Sequence, residues 1–136
     1  MPPSQKIEMI EIAASTHKND PRRYVVEEGE RLLARVRDND WLVALDEYGR
    51  GWSTVDLAKR LDEWQMKGSD VVFAIGGSDG LSDSVFSRAN ERASLSALTF
   101  PHHMVKVILA EALYRAWTIN NGHPYHRASP RGRQRT

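Results

Sequence analysis

The chain has 136 residues, of which 40% are hydrophobic and 27% charged, with a formal net charge of +1 and no cysteine. Such a composition suits one globular domain with a single core, and excludes collagen-like, low-complexity and wholly disordered chains. The missing cysteines exclude disulfide frameworks, thiolate catalysis and cysteine-ligated zinc or iron–sulfur sites, and fit a cytoplasmic protein.

Lys6–Ile12 clusters β-favouring residues with partial alternation and predicts a strand. Ala13–Pro21 is polar and carries the Asn19-Asp20-Pro21 turn signal. Arg22–Arg37 predicts a helix with a loose apolar stripe, weakened by Gly29. Trp41–Asp46 is a short apolar run that predicts a strand buried on both faces, followed by a loop over Glu47–Trp52. Ser53 and Asp56 read as a capping-box pair. Leu57, Leu61 and Trp64 then give helical spacing for Thr54–Lys67, and Gly68 stands where a C-terminal cap belongs. Val71–Ile75 predicts a second buried strand, and Ser82–Arg92 a helix. Leu95–Phe100 reads as a short strand or an extended loop, broken by Pro101. His103–Asn120 predicts a long helix that is apolar nearly all round, the pattern of a helix buried in its own subunit or against another. The alternation of strands and helices argues for an α/β fold with a mainly parallel sheet flanked by helices.

No stretch reaches the roughly 18–20 apolar residues of a membrane span, and the start is not a secretory signal. Residues 127–136 hold four arginines and no acid, and read as a flexible basic tail. Residues 1–126 form the single domain and carry a slight acidic excess.

In open α/β sheets ligands bind beyond the carboxyl ends of the strands, which selects the loops Glu47–Trp52, Gly76–Ser82 and Phe100–His103. The glycine turn Gly76-Gly77-Ser78-Asp79-Gly80 matches neither nucleotide fingerprint, and is a tight structural turn or a ligand cradle. Four of the five histidines lie between His102 and His126, at no standard zinc spacing, so no metal is expected. His123-Pro124-Tyr125-His126-Arg127 joins an aromatic ring, two imidazoles and a guanidinium. Such groups stack on unpaired bases and hydrogen-bond their edges. Arg115, inside an apolar stretch, calls for Glu111 four residues before it or for a ligand phosphate. Trp64 and Trp117 fall at core spacing, and a packing role is expected for Trp52 as well.

Four ordered runs carry a resemblance. They are Ile75-Gly76-Gly77-Ser78-Asp79-Gly80-Leu81-Ser82, Leu95-Ser96-Ala97-Leu98-Thr99-Phe100-Pro101-His102, Glu111–Trp117 (EALYRAW) and His123–Arg127, supported by Leu45-Asp46 with Gly49. Together they resemble the bacterial ribosomal RNA large subunit methyltransferase H family, over essentially Lys6–Arg127. The resemblance implies a SPOUT-type domain with a C-terminal trefoil knot, a rare exception to unknotted topology. It implies S-adenosylmethionine as cofactor, a homodimer, and methylation of N3 of a pseudouridine in 23S rRNA on the assembled ribosome. Carried over by motif, the cofactor contacts are Leu45, Gly77, Ser96, Ala97, Leu98, Thr99, Phe100 and Pro101. Family members usually begin with a further strand and helix before the segment matching KIEMIEI, which this sequence lacks. That absence implies an exposed strand edge.

On this reading His126 is the candidate base or base-orienting group, and Tyr125 stacks on or hydrogen-bonds to the target base. Arg115 and Arg127 hold phosphates or stabilise the developing uracil anion, and His123 faces RNA. The alternative is a catalytically inactive RNA- or ribosome-binding module of the same fold.

Overall fold

Val71–Ile75 is buried at every position, as a strand covered on both faces requires, and forms β3 at the centre of the molecule. The computed structural model describes residues 6–11, 21–76, 80–95 and 102–122. Around β3 stand β1 (Ile7–Glu11), α1 (Pro21–Ala34), β2 (Trp41–Gly51), α2 (Thr54–Lys67), α3 (Asp83–Arg88), β4 (Glu91–Ser94) and α4 (His102–Asn120). The sheet of these described strands has the order β1-β3-β2-β4, with every neighbouring pair parallel.

Side-chain alternation divides the core into two layers. Val43, Leu45, Val71, Phe73 and Ile75 face Leu57, Leu61 and Trp64 of α2 and Leu109, Leu113 and Ala116 of α4. On the other side Ile10, Leu42, Ala44, Val72 and Ala74 meet Leu32 of α1, Val85 of α3 and Leu81 just before it. The expected α/β architecture is therefore present, as a sheet between two helical layers.

The local signals at α2 hold. The Ser53 hydroxyl accepts from the Asp56 backbone N–H, and the Asp56 carboxylate accepts from the Ser53 N–H, each at 3.0 Å. Gly68 closes the helix at φ 74°, a conformation that side chains resist.

Three boundaries differ from the sequence reading. α1 ends at Ala34 rather than Arg37, where the chain turns toward β2. β2 resumes after the loop expected at Glu47 and runs to Gly51, with a register shift between Leu45 and Arg50. The helix expected over Ser82–Arg92 stops at Arg88, and Glu91–Ser94 forms β4. Nothing in Glu-Arg-Ala-Ser favours a strand, so tertiary contacts override propensity there. Asn90 Oδ1 accepts from the Leu42 N–H at 2.8 Å, and Glu91 Oε1 accepts from the Trp41 indole at 2.7 Å. Arg88 reaches the carbonyls of Arg37 and Asp40, both at 3.0 Å. These bonds dock the segment on the edge of β2, where Ala93 is fully buried.

Gly29 does more than weaken α1. An added Cβ would lie 3.0 Å from Ser82 Cβ, and closer still to its hydroxyl, so the glycine lets α1 approach the start of α3.

Candidate active site

The sheet has a switch point between β2 and β3. Leu45 and Ile75 face each other across that ladder. From β2 the chain continues into α2, in the layer with α4; from β3 it continues into α3, in the layer with α1. Adjacent strands whose connections leave toward opposite faces open a crevice beyond their carboxyl ends, the usual ligand site of such sheets.

Leu45, opposite Ile75 at the carboxyl end of that ladder, is buried. Gly76 follows Ile75 at one wall of the crevice, and a Cβ there would lie 2.9 Å from the Gly80 carbonyl carbon. Gly76 and Gly80 therefore lie close together, and Gly80 adopts φ 80°. Ser82 caps α3 by accepting from the Val85 N–H. Gly77, between these points, lies outside the described residues, as do Ser96, Ala97, Leu98, Thr99, Phe100 and Pro101.

The other wall is made by an excursion of β2. Leu45 and Arg50 both lie opposite Ala93 of β4, so residues 46–49 loop out of the ladder. Asp46 anchors the base of this excursion. One of its oxygens accepts from Arg92 Nε at 3.0 Å and Nη2 at 2.7 Å, and from the Tyr48 N–H at 3.3 Å. Arg92 also lies over the Phe86 ring. Gly49 is pressed on the Ala93 backbone, where a Cβ would meet main-chain atoms at 2.7 to 2.9 Å. Trp52, just after the excursion, packs edge-on against Trp64, as its expected packing role requires.

Beside this edge the Ser53 backbone N–H donates to Asp56 and holds its carboxyl below the ordinary range. The Ser53 side chain and the nearby Lys59 and Arg50 act in the same direction.

Arg115 pairs with Glu111 one turn away, one of the two partners that the sequence left open, and remains partly exposed. Asn120 donates to the Ala58 carbonyl at 2.8 Å, so the C-terminal end of α4 lies beside the early turns of α2. α2 itself starts at the excursion, and the described chain thus leaves α4 on the crevice side. His123, Tyr125, His126 and Arg127 follow and lie outside the described residues.

The sequence reading placed a loop at Glu47–Trp52, where the excursion lies, but missed the Asp46–Arg92 clamp that holds it. It also missed a cleft of about 350 Å³ at the opposite end of the sheet, lined by residues including Trp41, Arg60, Lys67 and Glu91. There Glu91 accepts from the indoles of Trp41 and Trp64 and pairs with Arg60. Among the described residues no cluster of three or more His, Asp or Glu is arranged to hold a metal ion. No helix among them is long and apolar enough to cross a membrane.

Comparison with known proteins agrees with this architecture. A family described as predicted SPOUT methyltransferase matches residues 1–126. A protein of Hahella chejuensis named ribosomal RNA large subunit methyltransferase H is 46% identical over 129 residues, 93% of this chain and 83% of its own length. Its namesake from Methylococcus capsulatus is 51% identical over 112 residues, 82% of this chain and 72% of its own. One from Pseudomonas fluorescens is 44% identical over 129 residues, again 93% and 83%. With its matched family model and relatives this similar over most of both chains, this protein belongs to the SPOUT methyltransferase family.

Proposed function

We propose that this protein methylates N3 of a pseudouridine in 23S rRNA, on the assembled ribosome in the cytoplasm, with S-adenosylmethionine as methyl donor. The observation that carries the reading is the similarity to relatives named ribosomal RNA large subunit methyltransferase H over nearly the whole chain.

The described residues fit such a cofactor. Buried Leu45 at the carboxyl end of the paired part of β2, with the main chain of Gly76 and Gly80 beyond the end of β3, offers apolar surface beside polar backbone, the mixture that an adenosyl group needs. When bound, the cofactor supplies an electrophilic methyl group on a sulfonium. Leu45, Gly77 and the segment from Ser96 through Ala97, Leu98, Thr99 and Phe100 to Pro101 would hold it. In this reading the segment belongs to the trefoil knot in the C-terminal part of the single domain of residues 1–126, and residues 127–136 form a basic tail.

The N3–H of a uracil-type ring is weakly acidic, and its proton must leave for the nitrogen lone pair to attack carbon. His126 takes that proton or orients the ring; an imidazole suits proton transfer near neutral pH. Tyr125 stacks on the target base. Arg115 and Arg127 neutralise phosphates or the developing uracil anion, and His123 contacts RNA. Two copies pair through α4, whose exposed Met104, Val107 and Tyr114 support an apolar contact.

The test is transfer of labelled methyl from S-adenosylmethionine to ribosomes lacking the modification. Label at N3 of a 23S pseudouridine is expected. A folded protein that binds cofactor and ribosome yet transfers nothing would instead be the inactive binding module.

A further inference from the structure

We infer that Tyr48 is a stacking platform for an unpaired base of the RNA substrate, set at the rim of the cofactor crevice. The inference rests on the RNA-methylating reading above and adds to it a recognition residue.

The phenol is 84% exposed, unusual for a side chain of this size. It does not stand on an unconstrained loop tip. Both ends of the excursion are fixed opposite Ala93 by Leu45 and Arg50. The Tyr48 N–H is tied to Asp46, and Asp46 is clamped by Arg92. The next residue, Gly49, fits only because it has no Cβ. Several contacts therefore hold an aromatic ring out of the sheet into water, where packing gains nothing from it.

Its surroundings select the partner. The excursion leaves the sheet at the switch point between β2 and β3, beside the crevice. Arg50 is exposed two residues along, and Arg92 is half-exposed at the base. An exposed aromatic ring with guanidinium groups nearby suits single-stranded RNA: the ring stacks on a splayed base and the cations meet the backbone. An aliphatic protein partner would not call for the cations.

The experiment measures ribosome affinity by co-sedimentation and methyl transfer separately, for the wild-type chain, Tyr48→Ala, Tyr48→Leu and Tyr48→Phe. Cofactor affinity and oligomeric mass are recorded for each. Expected are a roughly tenfold or greater loss of ribosome affinity in Y48A and Y48L, with recovery in Y48F, at unchanged cofactor affinity and mass. Wild-type ribosome affinity in Y48A overturns the inference. So does a Y48L variant as good as Y48F, which would indicate simple apolar contact. A change of oligomeric mass in Y48A also overturns it, by giving Tyr48 to a second copy. If the wild type binds ribosomes through Tyr48 but transfers no methyl, the activity reading falls and the stacking role stands. If it transfers methyl regardless of Tyr48, the reverse holds. A wild type that neither binds nor transfers overturns both.

Discussion

Arg92 places two N–H donors on a single oxygen of Asp46, joining β4 to the outward excursion of β2. Arg92 is half-exposed, so the pair is screened and worth about 1 kcal/mol or less to global stability. Its effect is local: it fixes the chain that borders the crevice.

Asp46→Ala removes both the Arg92 partner and the acceptor for the Tyr48 N–H. Melting is expected to move little, while kcat/KM for methyl transfer to ribosomes falls about tenfold, about 1.4 kcal/mol of transition-state stabilisation. Arg92→Ala should lose a similar factor, and the double variant little more than either, because the two side chains act as one unit. Additive losses would show that they do not.

Gly29→Ala tests how α1 meets α3. In an exposed helix this exchange stabilises by about 1 kcal/mol. Here the new methyl group meets Ser82, the N-cap of α3. The expected outcome is destabilisation by about 1–3 kcal/mol, read from urea unfolding. A stabilised variant would mean that the two helices part at no cost.

Glu91→Ala strands two indole N–H groups at the other end of the sheet, while Arg60 keeps its pair with Glu63. The Glu91 side chain is only 13% exposed. A loss of about 2–3 kcal/mol is expected, since the orphaned donors keep their desolvation cost. Glu91→Gln, which keeps an acceptor, should lose less. Cofactor binding should be unchanged in either folded variant, because the crevice lies beyond the opposite strand ends.

The α2 capping box gives a pH dependence with a definite sign. Hydrogen bonding to Ser53 lowers the Asp56 pKa in the folded state. The unfolded chain therefore binds the proton more readily, and the contribution is present above the ordinary value of 3.8. It is lost as pH falls through the lower, folded value. The stability gap between wild type and Asp56→Ala should thus be widest near neutrality and close at acid pH. Ser53→Ala, which removes the other half of the box, should cost about 1 kcal/mol at neutral pH.

Local chemistry sufficed for much of this fold. Ser53, Asp56 and Gly68 mark both ends of α2 because caps are satisfied within a few residues of the chain. The unbroken apolar runs of β2 and β3 announced strands covered on both faces. The loops after β2 and β3 stood out as turns following apolar runs, whereas Leu45 entered only through the family resemblance.

Three features depended on the assembled sheet. β4 is a strand because Trp41 bonds to Glu91, Leu42 bonds to Asn90 and Ala93 is buried beside β2, not because those residues prefer extension. Gly29 became a contact only once α3 was laid over α1. The display of Tyr48 follows from Leu45 and Arg50 sharing one partner, a register between strands distant in sequence. Propensity and capping act over a few residues, and a single chain reveals them. Edge pairing, helix approach and bulge register are set by groups up to half the chain apart, and appear only when tertiary packing brings them together.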